Sequence, residues 1–152
     1  DYSHMRLDGI PRRDLVAMLE RDARLSIRNY RPDVVMLPAH SYNQDHEAVL
    51  RAGLAATRPH DPAALHQAEA VLLYEYPPNS WCLPHERFQP NFYVDISDCL
   101  ERKIEAYRLY RSQAREGLHQ NSTENIRSLA LLRGREIGAQ AAEAYQALRM
   151  RV

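Results

Sequence analysis

The stretch Arg31-Pro32-Asp33-Val34-Val35-Met36-Leu37-Pro38-Ala39-His40-Ser41-Tyr42-Asn43-Gln44-Asp45-His46 decides the fold of this chain. Val34, Val35, Met36 and Leu37 form an unbroken apolar run between Pro32 and Pro38. A short run of that kind reads as a strand covered on both faces. Pro38 stops it, and a polar loop follows. A helix is expected over residues 45–57, with Val49, Leu50, Gly53 and Leu54 on its inner side.

Either side of this unit the pattern alternates between helix and strand. Pro11 suits the first turn of a helix, and Leu15, Met18, Leu19, Ala23 and Ile27 recur after it at helical spacing. Pro32 ends that helix, because the residue before a proline avoids helical angles. Residues 71–76 read as a second strand, closed by Pro77 and Pro78, which open a long irregular loop carrying Trp81. Phe92, Val94 and Ile96 alternate with Tyr93 and Asp95, the mark of a half-buried strand. Asp98 with Glu101 reads as an N-cap and its capping partner. The helix after it carries Leu100, Ile104, Tyr107 and Arg111 on one stripe. Asn121 with Glu124 is a similar start for a helix through Ile126, Leu129 and Ala130 toward Gly134 and Gly138. Residues 142–150 have a helix-favouring composition, yet residues 145–148 also suit an edge strand. Helices alternating with buried strands give an α/β fold with a largely parallel sheet.

Composition narrows the function classes. A chain of 152 residues is long enough for one domain with a real core. Its 20 basic residues balance its 20 acidic ones, which argues against nucleic-acid binding, where a basic excess is usual. No apolar run approaches a bilayer span and no signal peptide is visible, so a cytoplasmic location is expected. Cys82 and Cys99 are too few for a disulfide scaffold and lack C-x-x-C spacing, and they read as reduced thiols. The chain opens on Asp1 rather than Met, and its start reads like the middle of a longer sequence.

Ligands of open α/β sheets bind beyond the carboxyl ends of the strands, which points to the loop before His46. A histidine there sits at the mouth of the crevice. Asp45 suits the positive end of the helix and could steady a neighbouring histidine or a metal-bound water. On spacing alone the plainer reading is the stronger: Asp45 an N-cap and His46 a surface residue. A catalytic zinc wants three protein ligands and an open position.

Arg31-Pro32-Asp33-Val34-Val35 followed by Asn43-Gln44-Asp45-His46 resembles the second conserved block of the PIG-L/LmbE-like deacetylases. The resemblance continues in Tyr74-Glu75-Tyr76-Pro77-Pro78-Asn79-Ser80-Trp81 and is strongest in Phe88-Gln89-Pro90-Asn91-Phe92-Tyr93-Val94-Asp95-Ile96-Ser97. Lys103-Ile104-Glu105-Ala106, Ser112-Gln113, Arg133-Gly134-Arg135-Glu136-Ile137-Gly138 and Ala142-Glu143-Ala144-Tyr145 complete the series in order. It implies a Rossmann-like three-layer fold with a mostly parallel sheet. Residues 1–152 would be the C-terminal portion of a single domain whose N-terminal strands lie outside this chain. It also implies hydrolysis of the N-acetyl group of an N-acetylglucosamine-type conjugate, assisted by Zn2+ or another divalent ion. By resemblance His46 is the zinc ligand of this block and Asp45 supports the site from beside it. Residues 142–145 would enter a late strand.

Two departures shape the expectation. Many members carry a histidine three residues before the ligand, as general acid or oxyanion stabiliser. Here that residue is Asn43, whose amide donates hydrogen bonds but delivers no proton. His40 is a candidate substitute if the loop folds back. The family's first motif, His-Pro-Asp-Asp-Glu, which supplies two further ligands and a general base, is absent. A missing N-terminal part of the same protein is therefore an expected partner, and this chain alone should bind zinc weakly and catalyse little. Tyr76, Trp81 and Glu75 are candidate contacts for an amino sugar, since aromatic faces stack on sugar rings. Trp81 could equally plug the core beneath its loop, and Glu75 could pair with an arginine. Two competing readings stand beside the hydrolase: a non-catalytic carbohydrate-binding or scaffold protein of the same fold, and an interaction module using the frame for homo-oligomer contacts.

Overall fold

The structure, a computed structural model, describes residues 6–77 and 81–151. Pro78, expected to help close a strand, and Asn79-Ser80 after it lie outside those residues. Helix α1 (Arg12–Ala17) passes into a π-helical turn (Met18–Asp22), and α2 (Ile27–Tyr30) follows. The single first helix expected from periodicity is thus interrupted. Ala23 leaves helical space with ψ 153°, and Ser26 restarts the chain by accepting the Asn29 N–H on its hydroxyl.

Strand β1 (Val34–Pro38), helix α3 (Gln44–Ala56) and strand β2 (Ala70–Tyr74) form one strand–helix–strand unit. Beyond a long loop come β3 (Phe92–Asp95), α4 (Leu100–Arg108), α5 (Thr123–Ile137) and β4 (Ala142–Met150). The sheet order is β1-β2-β4-β3. β1 and β2 are parallel, with Val35 opposite Val71, while β4 is antiparallel to both β2 and β3.

The expectation of a mostly parallel sheet is therefore corrected, and the cause lies in the connections. One helix, α3, carries the chain back to the starting end of β1, so β2 runs parallel to it. Two helices lie between β3 and β4. The second undoes the return made by the first, so β4 enters against the direction of β3. Its flanks are also both occupied, so residues 145–148 belong to a central strand and not to an edge.

Helices cover both faces. Side chains alternate along a strand, and on one face Leu37, Ala39, Val71 and Leu73 meet Leu50 of α3, with Val35 and Phe88 packed against them. On the other, α4 and α5 contribute Leu100, Ile104, Ile126 and Ala130, which close on Ala141. Each fully buried Leu or Ile there stabilises the fold by about 1.5–3 kcal/mol. Gly134 lets α5 approach the start of β4, since a Cβ at that position would lie 2.7 Å from the Ala141 backbone. Gly138, at φ 74°, ends the helix in the left-handed region.

Two helix starts differ from the sequence reading. Ser122, one residue after Asn121, caps α5 by accepting the Asn125 N–H. α4 has no side-chain cap; Glu101, assigned to a capping box with Asp98, pairs with Arg127 instead. Among the described strands β1 pairs only with β2, and Val34 and Met36 on its second face stay 47% and 51% exposed.

Candidate functional site

The site lies where β1 ends and α3 begins. Asn43 is the N-cap: its Oδ1 accepts the N–H groups of Asp45 and His46 at 3.0 and 3.1 Å. Asp45 therefore sits inside the first turn, where its charge suits the helix dipole. Its Oδ1 also accepts the Leu7 N–H at 2.8 Å, tying the N-terminal segment to α3. Ser41 is buried, accepts the Asn43 N–H at 3.3 Å and shares a side-chain hydrogen bond with Tyr76.

This turn aims the His46 ring at Tyr76, whose ring it meets edge-on at 4.9 Å. His46 Nδ1 is buried and has no hydrogen-bond partner among the described residues. Burial holds the His46 pKa below the usual imidazole value, and the charge of Asp45 only partly offsets that. A shift in that direction favours the neutral ring at neutral pH, the state in which a nitrogen lone pair can bind a metal. Orphaned buried nitrogens are rare, and one at the carboxyl end of a strand fits a single coordinate bond. The full donor set of a catalytic zinc is not present: no cluster of three or more His, Cys, Asp or Glu placed to hold a metal occurs among the described residues.

The other candidates separate. His40 stands between two carboxylates, its Nδ1 3.1 Å from Glu47 and its Nε2 2.9 Å from Glu86. Glu75 is engaged by Arg133 of α5 through two contacts of 2.5 and 2.8 Å, so the arginine reading of Glu75 holds. Tyr76 is half-buried against His46. Trp81 is 76% exposed, which removes the core-plug reading. Below Tyr76, on the face of α4 and α5, a cavity of about 390 Å³ opens between Met36, Tyr74, Ile126 and Leu129. Lys103 and Glu143, paired at 2.8 Å, form part of its wall, and the Tyr145 hydroxyl donates to Glu143 at 2.5 Å.

Sequence reasoning missed Ser41, Arg133, Lys103 and Glu143. A signal existed for Arg133. It falls on the inner stripe of α5 with Ile126, Ala130 and Gly134, and a charge on a buried stripe demands a partner.

No family model matches the sequence. The chain is 31% identical over 132 residues to the diacetylchitobiose deacetylase of Thermococcus kodakarensis, an alignment that covers 77% of this chain and 45% of that protein. Its fold is similar to that of a conserved protein of Thermus thermophilus, with a TM-score of 0.67 at 22% identity over 95% of this chain and 61% of the other. It is also similar to the N,N'-diacetylchitobiose deacetylase of Pyrococcus horikoshii, with a TM-score of 0.61 at 22% identity over 90% of this chain and 50% of that one. The chain thus spans about half the length of the deacetylases it matches. By sequence it is a homologue of a diacetylchitobiose deacetylase, and by structure it carries a similar α/β frame.

Proposed function

We propose that this chain is part of a zinc-dependent deacetylase that removes the acetyl group from an N-acetylglucosamine-type conjugate. The observation that carries the reading is the buried Nδ1 of His46 beyond the end of β1, which has no hydrogen-bond partner among the described residues, in a chain homologous to a diacetylchitobiose deacetylase. The remaining metal donors and the general base would come from another part of the same protein. The open edge of β1 and its exposed Val34 and Met36 offer the place for that part to join.

Bound Zn2+, or another divalent ion, supplies Lewis acidity toward an acetyl carbonyl and a water. The residues of this chain serve that chemistry in distinct ways. His46 offers one neutral nitrogen, and Tyr76 covers its ring. Asn43 fixes the first turn of α3 so that the ring keeps its direction. Asp45 places a negative charge beside the imidazole. Trp81 presents an exposed apolar face on which a sugar ring can stack.

Elemental analysis tests the reading on the full-length protein and its His46→Ala variant. Near-stoichiometric zinc, lost in the variant together with deacetylation of N-acetylglucosamine conjugates, supports it. A metal-free full-length protein sinks it. One observation favours a second reading, sugar binding without catalysis: the lack of a three-donor cluster among the described residues. Sugar binding that survives both chelation and His46→Ala would select that alternative.

A further inference from the structure

We propose that His40 is a positioning residue that clamps the loop carrying Trp81 to the start of α3, where His46 stands, and that it does not deliver a proton to substrate. The purpose assigned to the clamp, setting where Trp81 stands, rests on the deacetylase reading. The clamp itself does not.

The described part of the Trp81 loop, residues 81–91, holds only one regular turn, Pro84–Glu86. Its far end is anchored well. The Asn91 N–H donates to the Tyr145 carbonyl, Asn91 and Ala147 exchange two further hydrogen bonds, and Phe88 enters the core beneath α3. Nearer Trp81 the links run instead to the loop between β1 and α3. His40 Nε2 is 2.9 Å from Glu86 Oε2, and the Tyr42 hydroxyl donates to that same oxygen at 3.5 Å. The Leu83 backbone hydrogen-bonds Tyr42, whose ring stands edge-on to His40 at 5.6 Å.

The second nitrogen of His40 faces Glu47 of α3 at 3.1 Å, and Arg51 holds Glu47 from the other side at 2.6 Å. One imidazole therefore lies within ion-pair distance of carboxylates on α3 and on the Pro84–Glu86 turn, although Nε2 is not aligned for a hydrogen bond. With His40 removed, Glu47 and Glu86 would lose the imidazole that stands near both, and among the described residues the turn at Pro84–Glu86 would keep only its contacts to Tyr42. The same geometry argues against the catalytic role. Both ring nitrogens face carboxylates and the side chain is only 16% exposed, so neither nitrogen is directed at a substrate. A general acid must reach the atom it protonates.

Amide hydrogen exchange on the chain itself tests the clamp without metal or substrate. In His40→Ala and in Glu86→Ala, amides of residues 82–88 should exchange roughly tenfold faster while α3 and β4 keep their rates. The double variant should go little beyond either single one, because both remove the same link. In the metal-loaded full-length protein, Glu86→Ala should raise KM about tenfold and leave kcat within about twofold. Unchanged exchange over residues 82–88 in both single variants overturns the clamp. So does a fall in kcat of about a hundredfold or more in His40→Ala with loop exchange unaltered, which would mark a proton donor. Absence of deacetylase activity in the full-length protein would remove the functional reading while the exchange result still stands or falls alone.

Discussion

Replacing Arg133 with methionine should leave Glu75 a largely buried carboxylate without its cation. The two side chains are 15% and 11% exposed, and the guanidinium grips both carboxylate oxygens. Its third nitrogen reaches Glu136 at 2.6 Å, a partner in fuller contact with solvent. The hydrogen bonds to Glu75 outweigh the burial that would lower the Arg133 pKa, so the guanidinium stays charged. Removing one member of a fully buried pair costs about 3–5 kcal/mol, an upper bound for this partly solvated one, while losing the more exposed contact to Glu136 adds little. In a chain of this size each kcal/mol shifts Tm by about 2–4 °C, which gives a fall of no more than roughly 20 °C. The double variant Arg133→Met with Glu75→Met should recover most of the loss, because apolar replacement of a buried pair is often neutral or favourable. Urea melts followed by far-ultraviolet circular dichroism give the cycle. A single-variant loss below about 1 kcal/mol would refute the reasoning, as would a double variant that costs the sum of its parts. Either result would return Glu75 to the list of groups available for a sugar hydroxyl.

The remaining predictions concern the cap, the helix approach, acid stability and the exposed aromatic. Asn43→Ala should cost about 1 kcal/mol in urea melts, since it leaves two N–H groups of α3 without their acceptor, whereas Asn43→Asp should hold stability. Gly134→Ala should cost about 1–3 kcal/mol by thermal melt, because the new methyl would press on the Ala141 backbone. Burial alone would raise the Glu143 pKa, but hydrogen bonds from Lys103 and Tyr145 win and leave it below the ordinary 4.5. Its stabilisation is therefore full above that value and lost as pH falls through the folded-state pKa. Melting temperature against pH should show an acid limb that is weaker in Glu143→Gln. Trp81→Ala should change stability by less than about 0.5 kcal/mol, given its exposure, yet raise KM for an amino-sugar conjugate if the loop meets substrate.

The unit from β1 to α3 was legible because its signals agree. An apolar run between prolines, a polar loop and a helical stripe leave one reading. β4 was harder for a physical reason. Its Ala142, Ala144 and Ala147, with Ala141 before them, suit a helix by propensity. The structure shows α5 pressed close to the start of this strand at Gly134, so the approaching helix favours small residues there over β propensity. Strand direction was misjudged because the two helices after β3 were recognised but not counted as a pair. At the site, spacing could have identified Asn43 as the cap of α3, since His46 stands three residues on. It could not have identified His46 as more than a surface histidine, because the burial of Nδ1 depends on Tyr76, thirty residues away.

The antiparallel entry of β4 also shapes the site. Tyr145 lies opposite Tyr74, and Tyr74 opposite Pro38. The amino end of β4 is thereby carried to the carboxyl ends of β1 and β2, where a fully parallel sheet would have put a carboxyl end. Glu143 and Tyr145 arrive with it and meet Lys103 of α4. Just beyond β2, Glu75 meets Arg133 of α5, while Tyr76 meets Ser41 and His46. Residues far apart in sequence thus converge in pairs at one end of the sheet. The pairs Lys103–Glu143 and Arg133–Glu75 are built largely of charges that neutralise each other, so they hold α4 and α5 in place and leave little charge free. His46 differs from them in kind, since burial disfavours its charged form and its Nδ1 has no hydrogen-bond partner among the described residues. That contrast separates the frame of the site from the atom through which it would act.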